Sequence, residues 1–329
     1  MKVAVYTCAK NEEENVPYWL GCSEDADYRV VVDTGSTDRT GELLAVAGPS
    51  VRCMPASVKP WRFDVGRNLA LCFIPDDADV CIKLDFDERL QPGWRKELER
   101  VWTPKTTRVW YNYIWDWKVE DSVPNTSFRN NLIHSRNGYF WRHPTHEALY
   151  PMGIVEEFTE SDIQINQYPS LTSHPHLSKD LELLEYAVEE NRCPRTLFYL
   201  GREYFFKVST PGFDRLVMME RCIKTLGEYL TTSTFKSERA EAKRMISLLM
   251  RWEGKITDAV EFGISATIDD PLQRECWVDL AWAYKAAGDK LGVIYAIGRA
   301  RSITDPRYIK KAYAWDDTAL EELLSWALS

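Results

Sequence analysis

The sequence predicts an α/β domain followed by an all-α domain, and three observations carry that expectation. Short apolar runs that end in polar turns recur through the first 90 residues, the patterning turns almost wholly helical near residue 178, and two segments of matching apolar spacing recur in the second half.

The strand-and-turn units come first. Val3-Ala-Val-Tyr-Thr7 reads as a short buried strand, followed by Lys10-Asn11-Glu12-Glu13-Glu14-Asn15, acidic as the first turn of a helix should be. Val30 to Val32 form a second strand that stops at Asp33 and breaks into a Gly/Ser/Thr turn before helical patterning resumes at Gly41. Val80-Cys81-Ile82-Lys83-Leu84-Asp85-Phe86-Asp87-Glu88 is the third: apolar residues at 80, 82 and 84 fit a strand inside a sheet, and it ends in two carboxylates one residue apart. Three such units line three polar clusters along one sheet edge, where open α/β sheets bind ligands. That arrangement suits a nucleotide. Desolvating two carboxylates together is costly unless a cation sits between them. Asp85-x-Asp87 therefore points to a hard divalent ion, Mg²⁺ or Mn²⁺, of the kind held together with substrate phosphates; taken alone, the pair also fits a solvated turn.

From Ser178 the pattern is helical. Ser178 caps a segment with apolar residues at 181, 184, 187 and 188 that ends before Pro194. Leu197-x-x-Leu200-Gly201-x-x-Tyr204 and Trp277-x-x-Leu280-Ala281-x-x-Tyr284 both match the first-helix pattern of a tetratricopeptide (TPR) repeat. The second match is the fuller one, with Gly288 at the helix–helix turn and Pro306 closing the unit, whereas the stretch between the two is less regular. The expected domains are 1–177 and 178–329.

Composition sets bounds. With 329 residues the chain is long enough for two domains with their own cores, and 45% hydrophobic with 28% charged residues is the balance of an ordinary soluble protein. A net charge of −9, from 50 acidic and 41 basic residues, gives the whole chain no attraction for nucleic acid or anionic lipid, although a local basic groove stays possible. The N-terminal apolar run is too short for a secretory signal, and no apolar stretch is long enough to span a bilayer. Eight cysteines without a Cys-x-x-Cys pair, several within apolar patterns, read as reduced thiols in a cytoplasmic protein of a bacterial or phage-infected cell.

Lys10-Asn11-Glu12-Glu13, Asp33-Thr-Gly-Ser-Thr-Asp38, Phe63-Asp64-x-x-Arg67-Asn68 and Leu84-Asp85-x-Asp87-Glu88, in this order and spacing, resemble the family 2 glycosyltransferases of GT-A fold. More narrowly, the chain is similar to the branch whose catalytic domain precedes TPR-like helices, which includes bacteriocin-peptide and phage-encoded enzymes. The resemblance implies a Rossmann-like mixed sheet and metal-dependent, inverting transfer of a hexosyl group from a nucleoside-diphosphate sugar, a UDP-sugar, without a covalent protein intermediate. The acceptor it implies is a peptide or protein, a glycan or lipid-linked saccharide, or a hydroxymethylated base of phage DNA. A non-catalytic TPR-type scaffold with a vestigial nucleotide-sugar site is the alternative.

Candidate residues follow. For the nucleotide they are Thr7, Asn11, Glu12, Asp33, Gly35, Arg67 and Asp85. Asp33 at a strand end can accept the N–H of a uracil-like base, and Gly35 lets the backbone pass close to the ring. Arg67 offers a fixed fork of donors to a phosphate or base carbonyl. Helix capping by Asp33, Ser36 and Thr37, and a structural salt bridge between Arg67 and Asp64, are the plainer readings. By resemblance, Asp85 also approaches the ribose and Asp87 is the more direct metal ligand.

All five histidines, at 134, 143, 146, 174 and 176, lie in one stretch of the chain. Residues 133–147 resemble the family's acceptor-side loop, in which an acidic residue serves as base. Glu147 takes that role by resemblance, with His146 as rival, a departure from the Glu-Asp pair common elsewhere in family 2. His174 is the implied third metal ligand, with His176 as rival; an all-histidine zinc site and ordinary structural histidines are the other readings. Tyr111, Tyr113, Trp115 and Trp117 fall on one strand face, as a stacking surface or as core.

Overall fold

The computed structural model describes residues 1–115, 126–168, 179–304, 310–311 and 317–329. The chain divides into two compact units, Met1–His174 and Pro175–Ser329.

The first unit runs β1 (Val3–Ala9), α1 (Val16–Cys22), β2 (Tyr28–Asp33), α2 (Thr40–Ala45), β3 (Val51–Pro55), α3 (Phe63–Phe73), β4 (Val80–Lys83), β5 (Glu88–Leu90), α4 (Trp94–Val101), β6 (Arg108–Trp115), β7 (Thr126–Ser135), β8 (Tyr139–Arg142), β9 (Ala148–Pro151) and β10 (Phe158–Gln167). Its sheet is mixed and ordered β3-β2-β1-β4-β7-β6-β10-β5. Strands β3, β2, β1 and β4 are parallel. β7 then runs antiparallel to both β4 and β6, and β8 pairs with β9 as a separate ribbon. From β1 the chain steps outward to β2 and β3, then returns to lay β4 on the other flank of β1. Strand order reverses there, and the C-terminal ends of β1 and β4 open the crevice in which such sheets bind ligands.

Both faces of the parallel strands are covered, which is why they read as unbroken apolar runs. Val3, Val5, Val31 and Ile82 pack on one face with Trp19 of α1 and Leu98 of α4. Ala4, Tyr6, Val30, Val32 and Cys81 pack on the other with Ala70 and Leu71 of α3. Tyr111 and Tyr113 belong to the first of these cores, Trp115 is half exposed, and Trp117 lies outside the described residues. For two of the four aromatics, core is therefore the observed role.

The second unit contains α5 (Lys179–Glu190), α6 (Pro194–Lys207), α7 (Arg215–Thr232), α8 (Lys236–Trp252), α9 (Ile256–Asp269), α10 (Arg274–Ala287), α11 (Lys290–Ser302) and, after a two-residue strand β11 (Lys310–Lys311), α12 (Asp317–Leu328). Helices α6 and α7, α8 and α9, and α10 and α11 pack pairwise as hairpins. The two repeat-like segments form α6 and α10, and Gly288, with φ of 75°, ends α10 in the left-handed conformation. The less regular stretch between them is itself the α8–α9 hairpin. Leu181, Leu184, Ala187 and Val188 are buried on α5 as their spacing predicts; Ser178 and Pro306 lie outside the described residues. The expected α/β half followed by a helical, TPR-like half is the architecture observed, with the two-residue β11 the one strand described in the second half.

Gly201 shows why α6 carries glycine at this point. A Cβ there would stand 2.4 Å from Cδ2 and 2.6 Å from Cγ of Leu226, a fully buried residue of α7. Gly201→Ala should therefore destabilise the helical unit by about 1–2 kcal/mol despite alanine's better helix propensity. A fall in the urea midpoint at unchanged slope is the expected result, and an unchanged or higher midpoint would contradict the close approach.

Candidate active site

The site is built at the crevice between β1 and β4. Trp19 of α1 donates from its indole nitrogen to the Leu84 carbonyl at 2.8 Å and stacks on Phe86 at 5.0 Å between ring centroids. It thus grips the residues on either side of Asp85, which turn out of the end of β4. Thr7, fully buried near the end of β1, donates its hydroxyl to Asp85 Oδ1 at 3.0 Å.

Arg67 comes from α3. That helix sits close over β1, because a Cβ on Gly66 would meet Cys8 Sγ at 2.9 Å. Buried to 6% exposure, Arg67 gives Nη1 and Nη2 to Asp85 Oδ1 and Oδ2 at 2.7 and 3.1 Å, and Nε to Glu147 Oε1. Its guanidinium also lies 5.3 Å from the centre of the Trp141 ring. Asp64, the salt-bridge partner considered for it from sequence, pairs with Arg62 at 2.9 Å instead. Lys83 completes the cluster from beneath, with Nζ 2.6 Å from Asp85 Oδ2 and 3.0 Å from Glu88 Oε1, and Tyr113 donates to the same Glu88 oxygen at 2.8 Å. Sequence reasoning missed Lys83. The signal was a lysine inside an otherwise apolar strand run, which burial obliges to find a counter-charge.

The two carboxylates of the Asp-x-Asp pair are therefore not equivalent. Burial works against the charge on Asp85, but Arg67 and Lys83 outweigh it and hold the carboxyl well below the usual carboxylate range. For Asp87 the balance is reversed: burial, with Glu88 and Asp85 nearby, outweighs Gln167 and Lys83 and pushes it up to about 7. Its Oδ2 accepts a hydrogen bond from Gln167 Nε2 at 2.7 Å, while Gln167 Oε1 is buried with no hydrogen-bond partner among the described residues. A carboxylate reluctant to ionise beside an orphaned carbonyl oxygen is a set of hard oxygen donors that fits a divalent cation. Among the described residues no three His, Cys, Asp or Glu side chains converge as a complete metal cage, and His174 and His176 lie outside the described residues. Few protein ligands are what a Mg²⁺ or Mn²⁺ shared with phosphates requires.

Glu147, 12% exposed, reaches the cluster from the segment between β8 and β9. Helix α3 pins that segment. Asn68 and Trp141 exchange hydrogen bonds of 2.9 and 2.8 Å, and Phe63 N–H donates to the Pro144 carbonyl at 2.8 Å. His146 precedes Glu147 with φ of 47°, and His143 has φ of 82° and a 3.0 Å contact from its ring to Tyr150 Oη. His134 is a core residue: fully buried, it contacts Tyr6 Oη at 2.9 Å, and desolvation pushes its pKa down to about 3, so it stays neutral.

The remaining nucleotide candidates lie on the neighbouring loops. Asn11, with φ of 58°, accepts from Thr37 N–H at 2.8 Å and donates its own N–H to Ser36 Oγ at 2.9 Å; Glu12 N–H donates to Thr40 Oγ1 at 2.7 Å. These bonds lace the loop after β1 to the loop after β2. Asp33 Oδ1 accepts from Gly35 and Ser36 N–H at 3.1 and 2.8 Å, closing the turn after β2 rather than capping α2, whose N-cap is Arg39 without a side-chain bond. Asp33 also lines a cleft of about 480 Å³ with Gly41, Arg52 and Met54, and a Cβ at Gly41 would stand 3.2 Å from Oδ2. Gly35 needs its φ of 104° for the turn itself.

Asp87 gives a pH-dependent stability. In the folded chain it keeps its proton up to about pH 7, whereas unfolded it loses the proton near its ordinary value of 3.8. The folded state holds the extra proton between those values, so stability falls as pH rises through that window. Asp87→Asn should remove this fall, raising the metal-free Tm at pH 8 more than at pH 5. The same substitution should shrink the Tm rise caused by Mn²⁺, which in the wild type should be larger at pH 8 than at pH 5. Equal Tm responses of the two proteins would contradict the assignment.

No protein-family model matches the chain, and no curated protein matches it. Solved structures do resemble it distantly. S. aureus TarS 1–349 in complex with UDP-GlcNAc is 11% identical and has a TM-score of 0.37, covering 92% of this chain and 92% of that one. A longer S. aureus TarS structure gives 12% identity and 0.37 over 92% of this chain and 55% of that chain. MamA, at 15% identity and 0.34, covers 46% of this chain and 86% of its own. Eight free cysteines are present, and among the described residues no helix is long and apolar enough to cross a membrane.

Proposed function

We propose that the chain is an inverting glycosyltransferase that moves a sugar from a nucleoside-diphosphate sugar, a UDP-sugar, to a nucleophile on an acceptor. The observation that carries the reading is the convergence of Thr7, Arg67, Asp85 and Glu147 at the strand-order reversal, with Asp87 one residue further on. That convergence supports a reading in which groups for the donor and for the acceptor share one crevice.

In this reading Asp33, which lines the cleft, would offer the base an acceptor and Gly35 a close backbone approach, and Asp85, held by Thr7, would take the ribose. Asp87, with the Gln167 carbonyl beside it, would hold the Mn²⁺ or Mg²⁺, and His174 would complete its shell. Once bound, that ion supplies neutralisation of the two phosphates. Glu147 accepts the proton of the acceptor nucleophile, which bonds to the anomeric carbon as the bond to the phosphate oxygen breaks. The departing diphosphate keeps the bonding electron pair. One displacement inverts the centre and uses no covalent protein nucleophile. His146 is the rival base. A peptide or protein is the first acceptor class to test, ahead of glycans and hydroxymethylated DNA bases, because the TPR-like unit has the architecture of scaffolds that bind extended chains.

The experiment is mass spectrometry of products from a panel of nucleotide sugars with Mn²⁺ and peptide, glycan and modified-DNA acceptors. Transfer, or donor hydrolysis without acceptor, is expected; no donor turnover with any pair would leave the scaffold alternative. Glu147→Gln should keep donor affinity within about threefold while kcat falls by roughly 10²–10⁴. Wild-type turnover in that variant would remove Glu147 from the mechanism.

A further inference from the structure

Three of the N–H donors of Arg67 go to two carboxylates of the protein itself. Nη1 and Nη2 grip Asp85, Nε grips Glu147, and Trp141 covers the guanidinium face. We infer that Arg67 is a positioning residue that fixes the Glu147 carboxylate for proton acceptance and ties it to the donor-side Asp85. The inference rests on the glycosyl-transfer reading above and adds to it a rigid link between the two halves of the site.

Three features support the link. The guanidinium is planar and grips Asp85 through two bonds, so the Nε bond to Glu147 Oε1 fixes where that oxygen lies relative to Asp85. Arg67 is almost wholly buried, so neither contact is a transient surface pair. The segment that carries Glu147 contains two non-glycine residues with positive φ, His143 and His146, a conformation that persists only where surrounding contacts impose it. Helix α3 supplies such contacts at Phe63, Arg67 and Asn68, within about one and a half turns. A lysine at 67 would keep the charge but lose the fork and could not hold both carboxylates in one geometry.

A double-mutant cycle separates positioning from general structural support. Full-length wild type, Arg67→Lys, Glu147→Gln and the double variant are assayed for UDP release from UDP-glucose and UDP-N-acetylglucosamine with Mn²⁺, and donor Kd is measured by calorimetry. Arg67→Lys is expected to lower kcat by about 30-fold or more with KM and Kd within about threefold, and to cost less than about threefold further in the Glu147→Gln background. Independent, multiplicative losses overturn the inference, as does a raised KM at unchanged kcat, which would make Arg67 a donor contact. Wild-type kcat in Glu147→Gln overturns the base assignment as well, so the two failures are told apart. Should Arg67→Lys not fold, Glu147→Asp withdraws the carboxylate by one methylene: a kcat loss of about tenfold at unchanged Kd supports positioning, and wild-type kcat overturns it.

Discussion

The first unit is organised around a guanidinium that it cannot leave unpaired. Removing an arginine from water costs several kcal/mol, and at 6% exposure Arg67 recovers that cost only through two carboxylates and an aromatic face. Each partner arrives from a different element, so the need to satisfy one charge fixes the end of β4, the seat of α3 and the segment between β8 and β9 together. Lys83 and Glu88 extend the same logic one layer deeper, with Tyr113 closing the set. Asp87 stands at the edge of this neutralised cluster, and among the described residues no cation pairs with it as Arg67 and Lys83 pair with Asp85.

How much of this was legible in the sequence depended on the range of the interaction. Strand ends were legible because an apolar run that stops at Asp33 or Asp85 is a local signal, and burial on both faces left little else for Val30 to Val32 to be. The helical half was legible from the spacing at Leu197 to Tyr204 and Trp277 to Tyr284. Partnerships were not. Nothing local distinguishes Asp64 from Glu147 as the mate of Arg67, because the choice is made by how α3 lies across β1. The Asp-x-Asp pair was read as two like groups seeking one cation, whereas the structure neutralises Asp85 internally and leaves Asp87 apart. Clustering of histidines likewise did not mark a common role: His134 is a buried neutral core residue, and His143 contacts a tyrosine. His174 and His176 lie outside the described residues.

The loop residues show how one side chain can serve structure without being lost to a ligand. Asn11 and Asp33 each spend one oxygen on backbone N–H groups that order the polar edge. Such bonds set the backbone of the loops after β1 and β2 before anything binds, which lowers the ordering cost at the moment of binding. In the helical unit the equivalent constraint is steric. Gly201 and Leu226 decide how closely α6 and α7 approach, independently of any polar pairing.

The contacts that make the crevice are long in sequence. Arg67 meets Asp85 across 18 residues and Glu147 across 80, Thr7 meets Asp85 across 78, and Tyr6 meets His134 across 128. Closing loops of this span costs more chain entropy than pairing the helical hairpins, whose contacts are between neighbouring elements. During synthesis, Thr7, Arg67 and Asp85 all emerge well before Glu147, and until it arrives Arg67 has only half of its counter-charge.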